Sequence, residues 1–113
     1  MNSIERAHLS LQGLSVGDAL GETFFRPNPE AMSTIARREI PQGPWSYTDD
    51  TQMAVGILDA ITNGSIELMT VSENFLSWFN AGPADVGIQT SSVLSSAMVP
   101  GDLPVAAAAY LDA

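Results

Sequence analysis

Two carboxylates stand side by side in Tyr47-Thr48-Asp49-Asp50-Thr51-Gln52-Met53, between two threonines. Only 15% of the residues are charged, so a pair of adjacent negative groups needs a physical reason. Both fall where an apolar helical pattern begins. There the free N–H groups and the helix dipole favour negative charge by about 0.3 to 1 kcal/mol per group, and Thr48 reads as the cap. One Asp would be enough for that purpose. Successive helical residues diverge by about 100°, so both carboxylates can serve one ligand only at a helix end. A hard divalent cation such as Mg²⁺ suits that place, because it takes carboxylate, hydroxyl and water oxygens and offsets their mutual repulsion. A capped helix start and a metal site at the two aspartates are both open readings of these residues. Spacing excludes other acidic motifs: D-D-x-x-D would need a carboxylate at Met53, and the Gly and distal Glu of an EF-hand loop are missing. No G-K-[ST] phosphate loop occurs either.

The elements that must position these groups read as helices throughout. Residues 3 to 21 carry Ile4, Ala7, Leu11 and Leu14 at three- and four-residue steps, with Asn2 and Glu5 as a capping pair. Leu9, Val16 and Leu20 lie on other faces, which places this helix centrally in a bundle. Gly13, Gly17 and Gly21 form a stripe whose helix-propensity cost, about 1 kcal/mol each, predicts close approach of another backbone. From Glu22 to Tyr47 four prolines interrupt the pattern, and only Glu30 to Arg38 could form a short helix. So long a connection reads as a substrate-facing or lid-like loop, or as an ordinary surface excursion. A second main helix starts near Thr48 and stops at Asn63-Gly64. Thr70 and Glu73 predict a capping box for a third, through Phe75, Leu76, Trp78 and Phe79 to Gly82-Pro83. A fourth is expected from about Asp85 to Ala97, and a short Ala-rich one from Val105 to Leu111. No strand pattern or repeat appears, so the fold class is all-α. Met53, Phe75, Trp78 and Phe79 read as core, His8 as a surface or packed residue. Trp45 and Tyr47 could line a cleft or staple the loop to the helix.

Composition narrows the partners. A chain of 113 residues makes at most one domain, and 45% apolar residues are enough for a real core. Four Lys and Arg against 13 Asp and Glu give a net charge of -9. Duplex nucleic acid and anionic membranes are therefore unexpected partners. Without Cys there are no disulfides, thiolate metal sites or thiol catalysis. Polar residues interrupt the N-terminus before any signal-like apolar run forms, and no stretch approaches a membrane span of about 20 residues. A cytoplasmic location is the expectation.

"GLSVGDALG" at 13–21 followed by "GPWSYTDDTQM" at 43–53 resembles the opening of the ADP-ribosylglycohydrolase family. "ADVGIQT" at 84–90 is similar to the family's segment after its next helix. The resemblance implies an orthogonal helical bundle holding two Mg²⁺ (or Mn²⁺) ions in a cleft. It also implies hydrolysis of the bond between the distal ribose of ADP-ribose and an amino-acid side chain. The substrate would be an ADP-ribosylated protein or an ADP-ribose-containing small molecule. On this resemblance Thr48, Asp49 and Asp50 match the first metal-ligand cluster, and Asp49 and Asp50 are expected in catalysis. Asp18 matches the acidic residue of the glycine-rich helix and takes a structural or supporting role, and Gly87 falls in a glycine loop near the substrate. Metal-bound water has a lowered pKa, which suits glycosidic hydrolysis, and the ions would offset the charge of an anionic substrate.

The sequence also departs from the family pattern. Phe25 stands where many members carry a Glu; Glu22, three residues earlier on roughly the same helical face, is expected to replace it in catalysis. The later D-x-D-T motif, which supplies the remaining ligands, does not occur in this sequence. Residues 1 to 113 thus read as the N-terminal portion of a single family domain, apparently truncated. The resemblance fades beyond about residue 94, leaving an Ala-rich end unplaced. The alternative expectation is a non-catalytic helical remnant that serves as an interaction module or has no activity.

Overall fold

A computed structural model describes residues 1–25, 29–64 and 66–112, and these are all-α, with no strand among them. The six helices are α1 (Ser3–Phe25), α2 (Ala31–Ala36), α3 (Asp49–Thr62), α4 (Leu68–Asn80), α5 (Ile88–Ser95) and α6 (Asp102–Leu111). No helix among the described residues is long and apolar enough to cross a membrane.

The N-terminus of α1 is the expected capping box: Glu5 N–H donates to Asn2 Oδ1 at 2.9 Å, and Asn2 N–H to Glu5 Oε2 at 2.8 Å. The helix does not stop at Gly21 but runs to Phe25, because a single interior glycine is tolerated and no proline intervenes. α2 is shorter than predicted, ending before Arg38, which adopts a left-handed φ of 55°. Arg26 and Pro27, in the predicted loop, lie outside the described residues. The later part of that loop is exposed, and Trp45 folds back to donate its indole N–H to Pro41 O at 3.1 Å.

Three helix starts differ from the sequence reading, each for a local reason. α4 begins at Leu68 with Glu67 as an extended N-cap, so Thr70 lies inside the first turn and forms no capping box. α5 begins at Ile88 instead of Asp85, because Asp85 sits at φ 60°, outside helical conformation, and Gly87 becomes the N-cap. α6 begins at Asp102, with Pro104 in the first turn, where its missing N–H breaks no helical bond. Asp102 Oδ2 accepts the N–H groups of Met98 and Val99 at 3.1 and 3.3 Å, closing the preceding turn.

α1 packs on α3, α3 on α4, and α4, α5 and α6 on one another. The apolar core is Leu76 of α4, Leu94 of α5 and Leu103 of α6, against which Phe75, Trp78, Phe79, Val93 and Ala97 pack. Phe75, Trp78 and Phe79 are thus core residues, as their spacing suggests. α3 and α4 approach closely at Gly56, where an added Cβ would lie 3.2 Å from the Phe75 ring. Asn74 Nδ2 donates to Gly56 O at 2.8 Å there, and Trp78 Nε1 to Gln52 Oε1 at 2.7 Å.

The glycine stripe does not do what its cost predicts. An added Cβ at Gly13, Gly17 or Gly21 would meet nothing within 4 Å. α1 contacts α3 through the neighbouring face of Asp18 and Ala19, and Ala19 is its one buried residue. α1 is therefore peripheral, with Leu9 and Val16 exposed and His8 at the surface. The arrangement is open as a whole: the radius of gyration is 16.6 Å, against about 13 Å for a compact domain of this length. Beside the core a groove of about 450 Å³ opens between α4, α5 and α6, lined by Val71, Phe75, Val93, Leu103 and Tyr110. Met53 of α3 lines its edge and is only half-buried.

Candidate functional site

The two ends of the site, Asp18 and Thr48, are 30 residues apart in sequence and meet at one carboxylate. Asp18, in the second half of α1, accepts four hydrogen bonds from the start of α3. Its Oδ1 takes the Thr48 hydroxyl at 2.8 Å. Its Oδ2 takes Thr48 N–H at 2.7 Å, the Thr51 hydroxyl at 2.7 Å and Thr51 N–H at 3.3 Å. Burial alone would raise the Asp18 pKa, but the hydrogen bonds from Thr48 and Thr51 outweigh it and hold the carboxyl below its ordinary value. An ionised Asp18 thus acts as a tertiary cap, accepting the Thr51 N–H of the first turn of α3 while Thr48 accepts that of Asp50.

Thr48 is the local cap as well. Its Oγ1 accepts Asp50 N–H at 3.2 Å while its hydroxyl proton goes to Asp18. Both open readings of the acidic pair therefore share this geometry: α3 is capped, and its cap leaves carboxylate oxygens at the helix end. Asp49 points to the segment before α5, where its Oδ2 accepts Gly87 N–H at 3.0 Å. The sequence-predicted Gly87 is thus brought against Asp49, and its N–H holds that side chain. Asp50 is exposed, and its carboxylate accepts no hydrogen bond among the described residues. Burial, then the charges of Asp49 and Asp18, push its pKa up.

Glu22 lies one turn beyond Asp18 on α1, half-buried and on the same side of the helix. Because α1 continues through Phe25, Glu22 and Phe25 are also one turn apart, and Phe25 is 88% exposed. Thr51 is the residue that the sequence reading quoted but gave no role. It is buried, and both its polar groups bond Asp18. The doubled threonine around the two aspartates was its one signal.

For Mg²⁺ the donors fit in kind. Thr48, Asp49 and Asp50 offer hard oxygens, and no Lys or Arg pairs with the acidic cluster among the described residues. Mg²⁺ takes hard oxygen donors of this kind, with water completing its shell. Among the described residues no three His, Cys, Asp or Glu side chains converge into a complete cage.

Comparison with known proteins bears on this geometry. The sequence profile of the ADP-ribosylglycohydrolase family matches residues 1–109, so the likeness extends beyond residue 94 and takes in most of α6, correcting the expectation that this end is unplaced. A protein of Acanthamoeba polyphaga mimivirus, provisionally named an ADP-ribosyl glycohydrolase, is 34% identical over 83% of this chain and 33% of its own length. The ADP-ribosyl-[dinitrogen reductase] glycohydrolase of Rhodospirillum rubrum is 32% identical over 74% of this chain and 31% of its own. An ADP-ribosylarginine hydrolase of Serratia proteamaculans is 29% identical over 71% of this chain and 23% of its own. The chain therefore spans a third or less of the length of these relatives. No solved structure matches it.

Proposed function

The chain belongs to the ADP-ribosylglycohydrolase family, and on that premise we propose that it forms part of a hydrolase that removes ADP-ribose from a modified amino-acid side chain. The substrate would be an ADP-ribosylated protein or a small molecule carrying ADP-ribose; two of the relatives are named for ADP-ribosylated dinitrogen reductase and ADP-ribosylarginine. The observation that carries this reading is the junction of the two motifs. Asp18 of the first fixes Thr48 and Thr51 of the second, and the Asp50 carboxylate is left without a hydrogen-bond donor among the described residues.

Thr48, Asp49 and Asp50 are the residues that would hold Mg²⁺ or Mn²⁺. When bound, such an ion supplies polarisation of oxygen ligands and neutralisation of phosphate charge. The protein's own groups do the rest. Asp18 and Gly87 N–H hold Thr48 and Asp49 in place, so little reorganisation remains when substrate arrives. In hydrolysis a water oxygen bonds to the anomeric carbon of the ribose as the bond to the side-chain nitrogen or oxygen breaks. A proton leaves the water and the departing group gains one. Asp50, whose carboxylate accepts no hydrogen bond among the described residues, would have an oxygen free to accept a proton from water. Glu22, one turn from Asp18, stands in for the carboxylate that Phe25 lacks.

Calorimetric titration of the full chain with ADP-ribose, with and without Mg²⁺, tests the proposal. Binding that the metal strengthens is the expected result. Metal uptake without ADP-ribose binding would instead favour a non-catalytic interaction module, for which the open apolar groove is the supporting observation. Uptake of neither would reduce the aspartates to a helix cap.

A further inference from the structure

We infer that Asp18 is a positioning residue that sets the polarity of the site, by taking the Thr48 hydroxyl proton and so leaving the Thr48 oxygen able only to accept. The inference rests on the metal reading given above and goes beyond it, to how a neutral hydroxyl is made into a dependable ligand.

A hydroxyl has one proton and two lone pairs. At Thr48 the proton lies toward Asp18 Oδ1 at 2.8 Å, and one lone pair accepts Asp50 N–H at 3.2 Å. What is left is a single lone pair and no hydrogen. An ionised carboxylate cannot donate, so Asp18 leaves no second arrangement of that proton. The hydroxyl presented beside Asp49 and Asp50 is suited to a cation and unsuited to an acceptor such as a phosphate oxygen.

The division of labour between the two oxygens of Asp18 makes this testable. Oδ2 carries three of the four bonds, from Thr48 N–H, Thr51 N–H and the Thr51 hydroxyl, while Oδ1 carries only the Thr48 hydroxyl. In Asp18→Asn the amide oxygen can take the Oδ2 place and keep all three of those bonds. The amide nitrogen then stands at Oδ1 and donates to Thr48. Both lone pairs of the hydroxyl are now used, and its proton must turn outward. The substitution is nearly isosteric and reverses one group.

The experiment is Mn²⁺ titration of the full chain, followed by the electron paramagnetic resonance signal of free Mn²⁺, alongside urea unfolding. In Asp18→Asn the Mn²⁺ affinity should fall at least about ten-fold, in the range that supporting residues around metal ligands command. Thr51→Val removes a bond at Oδ2 without touching the Thr48 hydroxyl. It should lower the unfolding midpoint and leave the affinity within about two-fold. If Asp18 were only a helix cap, affinity would follow stability in both variants.

Wild-type affinity in Asp18→Asn overturns the inference and leaves the metal reading standing, whereas no Mn²⁺ uptake by the wild type overturns both. A second measurement needs no variant. The Thr48 hydroxyl proton should give a slowly exchanging resonance in the nuclear magnetic resonance spectrum that persists when Mg²⁺ is added. A proton that exchanges freely with water would overturn the inference even if Asp18→Asn does not fold.

Discussion

Where α1 meets α3 the contact converges on one carboxylate, and where α4 meets α5 and α6 it is spread over apolar surface. Asp18 collects four hydrogen bonds within the span of four residues. Leu76, Leu94 and Leu103 exclude water from one another with no direction attached. Hydrogen bonds are directional and modest in net stability, and apolar burial is the reverse. The first region therefore fixes where the polar groups of the site point, and the second supplies most of the resistance to unfolding. The two meet in α3, which faces Asp18 at its first turn and Phe75, Asn74 and Trp78 farther along.

Breaking the apolar region should cost most. Leu94 is 3% exposed, and Leu94→Ala is expected to remove about 2 to 5 kcal/mol, read as a lower urea midpoint. The half containing α4 to α6 should lose its helicity first. Asp18→Ala comes next, at roughly 1 to 3 kcal/mol, because donors at buried Thr51 and half-buried Thr48 are left without their acceptor.

That second effect carries a pH signature. The folded pKa of Asp18 lies below its unfolded value, so its contribution is fully present above the unfolded pKa and is lost as pH falls through the folded one. Asp50 has the opposite sign: its pKa is raised, so its ionisation opposes folding and acid relieves it. In the metal-free wild type, stability measured from pH 7 downward should fall below about pH 4. In Asp18→Ala that acid-linked loss should be smaller.

The glycines of α1 sharpen the comparison in the other direction. Nothing lies within 4 Å of an added Cβ at Gly17, so Gly17→Ala should stabilise the chain by about 0.5 to 1 kcal/mol through helix propensity. A thermal melt that falls instead would mean that another surface covers this face in solution. The smallest effect is expected at Asp50→Asn. Relief of repulsion from Asp49 and Asp18 should raise stability by no more than about 0.5 kcal/mol, while Mn²⁺ uptake falls. A gain in stability joined to a loss of binding is the mark of a group kept for its chemistry.

Much of this organisation was legible in the residues. The Asn2–Glu5 box, the Thr48 cap, the stop at Asn63-Gly64 and the all-α class follow from local rules, and local rules act within a few residues. Gly87 was reachable through the family likeness, although its contact with Asp49 was not. The readings that failed depended on distant partners. The glycine stripe implied a close neighbour, but α1 turned its Asp18 face to α3 and left the glycines uncovered. Thr70 and Glu73 had the spacing of a capping box, yet the chain is already helical at Leu68. Asp85 looked like a helix start until its left-handed backbone delayed α5 to Ile88. Thr51 carried a signal in the repeated threonine, and only the fold shows that its partner is Asp18.

The bond from Trp78 Nε1 to Gln52 Oε1 gives the molecule an optical reporter. Gln52 directly follows Thr51, so any displacement of the first turn of α3 alters the polar surroundings of an indole ring seated against Leu76, Leu94 and Leu103. The emission colour of Trp78, isolated in a Trp45→Phe background, would therefore register events at the acidic end of α3 from inside the opposite half of the protein.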